Sequence, residues 1–480
     1  MPQTSQPISR SSKLNRRGFL TLTAGLAGAS VLPSRSAAAE RPTSATGPNG
    51  PVRNVIFIVA DGMSNGALGI ADHYSRVVLG KPGIWNALAA RTGTRRCLVS
   101  THSANSIVTD SAAASSAWST GVKHDQGSLC IDPSGKALTP ILLRAKQNGR
   151  AVGVVTTTTV THATPAGFYC NVQKRGDESD IARQLVERPI DIALGGGTEF
   201  VSDDLVQGRK DMVVVRTREQ LLASALNATH KGKRLVGTFN KSHISYALER
   251  NETEPSLLDM SKVALDRLAE SPSGFFLQIE GGRIDHAAHN NDAFALLHDQ
   301  LDFEAALAFA AEFASSRNDT LLIATTDHAT ANPGLTLYGK QGLAGLRLLG
   351  GGKHSFDWIG AQLAGLAKDA STAQRTEVLV SSVKAATNVE LSSEERTYLV
   401  RSLEGNRTDA FFPRTSLVCQ LGALLANHTG VSFVSPNHTA DLVEMLALGR
   451  GADTLPAFLD NTAVHDWVTA ALDLAPAKPA

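Results

Sequence analysis

In this 480-residue chain, acidic residues and histidines follow directly where apolar runs stop. The run RNVIFIVA (53–60) ends at Asp61, FFLQI (275–279) at Glu280, and TLLIAT (320–325) leads into Asp327-His328. Each run reads as a buried β-strand, and in open α/β sheets the ligand site lies beyond the carboxyl ends of the strands. One such aspartate is ordinarily a turn or N-cap residue. Three carboxylates at one edge repel one another unless something cationic sits between them. The stretch EGGRIDHAAH adds Asp285 and His289, four apart and so on one face of a helix, with His286 pointing in a neighbouring direction. That spacing alone equally suits a surface ion pair. His438, in SPNHTADLVEMLAL, precedes a further strand-like run. Oxygen and imidazole donors together suit Zn²⁺, whereas carboxylates with hydroxyl and water suit Mg²⁺. The donors suffice for more than one ion, and paired cations are a recurring device for displacement at phosphorus.

A nucleophile is also at hand. In VTDSAAASSAWSTGVK, Ser111 follows Asp110 at the start of a short helical pattern. A helix N-terminus offers free N–H groups and a positive dipole end to an anion. A serine there can be activated by a cation without a histidine base. Taken alone, the Asp-Ser pair is equally a helix cap.

The order DGM, VTDSAAASSAWSTG, THATPAG, LGGG, GFFLQIEGGRIDHAAH, TTDHA and HTA, spread from Asp61 to Ala440, resembles the alkaline phosphatase family. The resemblance implies an α/β fold that carries two Zn²⁺ and one Mg²⁺ and hydrolyses small-molecule phosphate monoesters. It implies that Ser111 forms a phosphoserine intermediate. Asp285, His289 and His438 would hold the first zinc, and Asp327, His328 and Asp61 the second. Asp61 would bridge to the Mg²⁺, with Thr164 and Glu280 completing that site. Arg175, thirteen residues after His162, stands where the family places a phosphate-binding arginine; its planar fork can grip two oxygens, which Lys174 cannot do. His162 and His286 occupy positions where some bacterial relatives carry Asp and Lys and vertebrate relatives carry His. Histidine makes the third site less acidic and its hold on Mg²⁺ weaker. Ala440 stands where relatives often have Gly. The resemblance also implies a capacity to form homodimers, although no motif here speaks for it.

Other readings of the same residues explain less. Gly62-Met63-Ser64-Asn65-Gly66 fits G-x-S-x-G after a strand, so a serine esterase using Ser64 is a rival. It leaves most of the acidic and histidine residues unused. GLTLYGK (334–340) approaches a P-loop but is followed by Gln341, where Mg²⁺ needs Ser or Thr. Ser111 is followed by Ala-Ala-Ala, not the C/S-x-P-x-R of a sulfatase. A phosphodiesterase of the same superfamily differs only in pocket shape. A periplasmic anion- or metal-binding protein would not need the serine.

The elements that must position these groups alternate. Strand-like runs lie at 53–60, 151–157, 191–194, 275–279, 320–325 and 441–448, with helical patterns at 111–120, 262–270 and 293–314 between them. This predicts an α/β fold, a mostly parallel sheet flanked by helices on both faces. Residues 332–430, Gly-rich and then helical at 374–387, 392–403 and 416–427, read as a helical cap inserted in a single catalytic domain spanning 40–480.

The formal charge of +1 comes from 46 Lys+Arg against 45 Asp+Glu, and such a balance argues against a nucleic-acid binder. It averages two unlike parts. Residues 1–39 hold Arg10, Lys13, Arg16, Arg17 and Arg35 and no acid, which leaves the remainder at −4. Basic residues, a moderately apolar run from Phe19 to Leu32 and Ala37-Ala38-Ala39 have the order of an export signal, too short for a stable membrane anchor. The pair Arg16-Arg17 resembles a twin-arginine signal, which engages the machinery that exports folded proteins, and implies a periplasmic or secreted enzyme. Cys97, Cys130, Cys170 and Cys419 show no C-x-x-C spacing; outside the cytoplasm they could form up to two disulfides.

Overall fold

A ten-stranded sheet organises the molecule. In chain order its strands are β1 (Asn54–Ala60), β2 (Arg95–Ser100), β3 (Ala151–Thr159), β4 (Ile192–Gly196), β5 (Met212–Val215), β6 (Arg234–Thr238), β7 (Phe275–Gly281), β8 (Thr320–Thr325), β9 (Val443–Gly449) and β10 (Phe458–Asp460). Across the sheet they lie in the order β10-β2-β9-β8-β1-β7-β3-β4-β6-β5. The computed structural model describes residues 51–227, 230, 232–404 and 416–475. The expected export segment with Arg16-Arg17 lies outside the described residues, as do 405–415 of the expected cap.

The sheet is mostly parallel, as the alternation of elements predicted. Only β9 runs antiparallel to its neighbours, β8 and β2. β1 is buried along its whole length, and its side chains alternate between two cores. Ile56, Ile58 and Ala60 enter one, and Val55, Phe57 and Val59 the other. This is the period-two alternation of a strand buried on both faces. The helices Asn65–Val77, Leu257–Leu268 and Ala293–Ser315 cover the first face, and Ser111–Thr120, Ile141–Gln147 and Asn461–Ala471 the second.

Four strands, β2, β5, β6 and β10, have no counterpart among the expected runs. β2 (RRCLVS) exposes its two arginines and Leu98, and β5 and β10 close the two ends of the sheet. At such positions, burial does not force a continuous apolar run. β3 continues two residues beyond its expected end, through a register irregularity against β4 between Val155 and Thr159. β9 begins two residues later than expected.

Residues 332–430 contain the helices Gly339–Gly350, Phe356–Ala364, Thr372–Thr387, Ser393–Leu403 and Leu417–Thr429. Gly334 and Leu335 pair antiparallel with Ser432 and Val431 at the root of this stretch. Just inside it toward the sheet, Ala329 and Thr330 pair with Thr439 and His438. These two short ladders return the chain to the sheet edge and carry His438 back beside Asp327 and His328. Cys97, Cys130, Cys170 and Cys419 are all buried and free, so no disulfide forms. Among the described residues, no helix is long and apolar enough to cross a membrane.

Candidate metal centre and nucleophile

Four neighbouring parallel strands, β8, β1, β7 and β3, deliver their carboxyl ends to one place. The register aligns Val59 with Thr325 and Glu280, and Glu280 with Thr156. Asp61 and Asp327, each two residues beyond such a level, therefore emerge beside Glu280. Gly62 permits the close approach. It has φ +67°, a Cβ there would lie 2.5 Å from Asp285 Oδ1, and its N–H donates to Asp327 Oδ1 at 3.1 Å.

Three ligand groups result. Asp285, His289 and His438 form one, Asp61, Asp327 and His328 a second, and Asp61, His162 and Glu280 a third. In each, the candidate donor atoms lie within 4.8 Å of one another. Thr164 Oγ1 donates to Asp61 Oδ2 at 3.2 Å, which places it at the third group. The structure thus brings together all eight candidate metal ligands expected from sequence, and places His162 within the third group as a further candidate donor.

Hydrogen bonds on the far side of each ring decide which nitrogen is open. His289 Nδ1 lies 2.5 Å from Pro436 O and His438 Nδ1 lies 2.8 Å from Thr109 O. A carbonyl only accepts, so in both neutral rings the proton sits on Nδ1, and Nε2 is the atom that takes a further proton or a metal ion. Thr330 Oγ1 gives its proton to Asp285 Oδ1 at 2.6 Å and so accepts from His328 Nδ1 at 3.2 Å. His328 also offers Nε2. Three imidazoles thereby present the same atom, held by outer partners as metal-binding histidines are.

These atoms then face other electron-rich atoms. His289 Nε2 is 3.0 Å from His438 Nε2 and 3.2 Å from Asp285 Oδ2, and His328 Nε2 is 3.0 Å from Asp327 Oδ2. Asp61 Oδ1, Asp327 Oδ2 and Glu280 Oε1 are buried with no hydrogen-bond donor. Such an arrangement is repulsive unless positive charge lies between the atoms. Titration behaviour reports the same demand. Burial, reinforced by Asp327, Asp285 and Glu280, pushes the Asp61 carboxyl well above its ordinary range. Burial pushes Glu280 up to about 7, against the hydroxyl of Thr156. Burial would lower His289, but Asp285 opposite it outweighs that and lifts it to about 9. The cluster draws in cations, as protons or as metal ions.

Ser111 is the first residue of the helix Ser111–Thr120, and its Oγ lies 3.1 Å from His328 Nε2. Asp110 caps that helix, accepting the Ala113 N–H on Oδ1 at 3.0 Å, while its Oδ2 accepts from Arg175 Nη1 at 3.2 Å. Arg175 Nη2 donates to His162 Nε2 at 2.9 Å, and Lys174 is exposed. His286 sits beside the third group, its ring 5.6 Å from that of His162, and Arg283 donates to its Nδ1 at 2.6 Å. Ser64, the rival nucleophile, caps the helix Asn65–Val77, and its Oγ accepts the Ala67 N–H at 3.1 Å.

Sequence reasoning passed over several participants. Thr156 Oγ1 donates to Glu280 Oε2, and Thr158 Oγ1 does so at 3.1 Å. The run of four threonines ending an otherwise aliphatic strand was the available signal. His243 packs its ring 4.6 Å from His286 and accepts the Thr159 N–H on Nδ1 at 3.0 Å. No motif marks it. Gly196 leaves room for it, since a Cβ there would meet Ser242 O at 2.1 Å and His243 Cα at 2.9 Å.

Comparison with known proteins bears on this arrangement. Residues 52–474 match the family model described as alkaline phosphatase. Alkaline phosphatase 4 of Bacillus subtilis is 34% identical over 323 residues, 64% of this chain and 67% of the relative. The tissue-nonspecific alkaline phosphatase of Gallus gallus is 34% identical over 58% of this chain and 63% of its own length. The match thus spans about two thirds of these relatives. The crystal structure of Thermus thermophilus alkaline phosphatase superposes with a TM-score of 0.79 at 34% identity, covering 94% of this chain and 97% of that one. The cold-active alkaline phosphatase of a Shewanella species gives 0.73 at 25% identity, covering 87% and 99%.

Proposed function

Because the chain belongs to the alkaline phosphatase family, a family of metal-dependent phosphomonoester hydrolases, we propose that it hydrolyses phosphate monoesters through a covalent phosphoserine on Ser111. The observation that carries this reading is the convergence of a helix-terminal serine with three groups of electron-rich atoms that face one another without donors between them. Asp285, His289 and His438 would hold one Zn²⁺ and Asp61, Asp327 and His328 another. Asp61, Glu280, Thr164 and His162 would hold Mg²⁺. When bound, these cations supply the charge that acidifies the serine hydroxyl and offsets the charge on the transferring phosphoryl group.

The chain's own groups do the rest. The helix N-terminus and Arg175 draw the ester's phosphoryl oxygens over Ser111. Asp110 holds both the serine's helix and the arginine, so nucleophile and anion clamp share one anchor. The Ser111 oxygen bonds to phosphorus and the alcohol leaves with its oxygen. Water then attacks the same phosphorus, returning the serine and releasing inorganic phosphate. The outer partners Thr109, Pro436 and Thr330 hold His438, His289 and His328 in one tautomer throughout. Arg16-Arg17 and the apolar run after them support export by the twin-arginine route to the periplasm, where such an enzyme would free phosphate for uptake.

The test is turnover of p-nitrophenyl phosphate at alkaline pH, with its diester, bis(p-nitrophenyl) phosphate, alongside. The expected result is monoester hydrolysis abolished by a chelator and restored by Zn²⁺ with Mg²⁺. Ser111→Ala should bind the metals and form no phosphoenzyme. Chelator-insensitive turnover, preference for the diester, or an undiminished phosphoenzyme would overturn the reading.

A further inference from the structure

Arg175 has protein partners on both amino groups, Asp110 on Nη1 and His162 on Nη2. A guanidinium only donates, so His162 Nε2 is the acceptor, and the neutral ring carries its proton on Nδ1. That nitrogen is buried and has no acceptor. Yet a nitrogen of this same ring lies within 4.8 Å of carboxylate oxygens of Asp61 and Glu280, in the third ligand group.

A metal cation needs a lone pair on the ring. If it takes Nε2, it takes the lone pair that Arg175 occupies. If it takes Nδ1, the proton must move by exchange with water to Nε2, where it points at the guanidinium N–H. In either case the ring stays neutral, no proton is gained or lost overall, and the bond from Arg175 cannot persist. His289 and His438 face no such conflict, because carbonyls hold their Nδ1 protons and leave Nε2 open.

We infer that His162 is a latch between the third cation and the phosphate-binding arginine, able to serve one of them at a time. The inference rests on the third cation position proposed above. Its consequence is that filling this position releases Arg175 Nη2 for the anion, while Asp110 still holds Nη1 as a pivot. By linkage, an anion that draws Arg175 away must raise the affinity for that cation by the same factor. His162 is thereby a positioning residue for the arginine as well as a ligand.

The experiment uses ¹⁵N-histidine-labelled protein loaded with zinc and titrated with Mg²⁺, the His162 resonances being identified by their loss in His162→Gln. Before Mg²⁺, the proton is expected on Nδ1. With calorimetrically saturated Mg²⁺, either the proton is found on Nε2 or Nε2 shows the shift of a cation-bound nitrogen. In parallel, the affinity for inorganic phosphate is expected to tighten on the order of tenfold with Mg²⁺, and by clearly less in Arg175→Ala, which has no guanidinium to release. Mg²⁺ bound with the His162 resonances unchanged, or equal tightening in both proteins, would overturn the latch alone. Failure to bind any third cation would overturn the third site, and the latch with it.

Discussion

Asp110 Oδ2 accepts from Arg175 Nη1 at 3.2 Å while the other oxygen of the same carboxylate caps the helix that begins at Ser111. Gly127 N–H also donates to Oδ2, at 3.0 Å. One side chain therefore couples the placement of the nucleophile to that of the guanidinium, and its removal should show in two separate measurements.

Asp110→Ala loses an N-cap, worth about 1 kcal/mol of stability, and the charge-assisted bond that aims Arg175. Inorganic phosphate should inhibit roughly tenfold more weakly, a loss in the range for a hydrogen bond to a charged group. A denaturant melt and a phosphate inhibition constant check the two effects. Unchanged inhibition would show that Arg175 finds its place without Asp110.

Two threonines of β3, Thr156 and Thr158, donate to Glu280 of the third ligand group. Thr156→Val keeps a β-branched strand residue and deletes a donor to Glu280 Oε2. Loss of such an outer partner typically weakens metal binding by about 10- to 100-fold. Titration of zinc-loaded protein with Mg²⁺ should show a loss of that size, with binding of the two zinc ions little changed.

Ser64 provides the contrasting case. Its hydroxyl caps a helix, so Ser64→Ala should cost about 1 kcal/mol of stability and leave turnover of p-nitrophenyl phosphate within about twofold. A collapse of turnover in a folded, metal-replete variant would return the esterase reading to consideration.

Asp299 gives a pH dependence away from the metals. Burial, opposed in part by Arg250, lifts its carboxyl to about 7. The folded protein therefore holds a proton that the unfolded chain releases near pH 4. Its stabilising effect is fully present below about pH 4 and is lost as pH rises from there to about 7. Asp299→Asn, which can still accept the Ala247 N–H, should gain stability relative to the native chain at pH 8 compared with pH 5. Between these two pH values the gain has an upper bound of roughly 3 kcal/mol. Denaturant midpoints at the two pH values check it, and equal differences at both would show that Asp299 stays ionised.

Much of the site was legible before the structure. Asp61, Glu280 and Asp327 declared themselves because a buried strand must end, and a carboxylate at that end is conspicuous against four to six apolar neighbours. Asp285 and His289 were legible as one helical face, and the helix Arg283–His289 presents them so. Thr156 and Thr158 were not, since threonine is at home in any strand. His243 was not, because it reaches the site only through the loop after β6, packed against the end of β4. The end strands β5 and β10 and the arginine-bearing β2 escaped notice because partial exposure relaxes the apolar pattern that marks a strand.

What the sequence determines by itself is local: which runs are buried, where they end in donors, which helix begins at a serine. Convergence is a tertiary matter. His438 meets Thr109 across 329 positions of chain, and Asp285 meets Thr330 across 45. Those distant partners, not the histidines themselves, set which nitrogen carries the proton. Donor identity is a property of the residue, but the direction of its lone pair depends on what the fold places on its other side. For that reason candidate ligands could be named from sequence, while the opposition of His162 to Arg175 could be seen only in three dimensions.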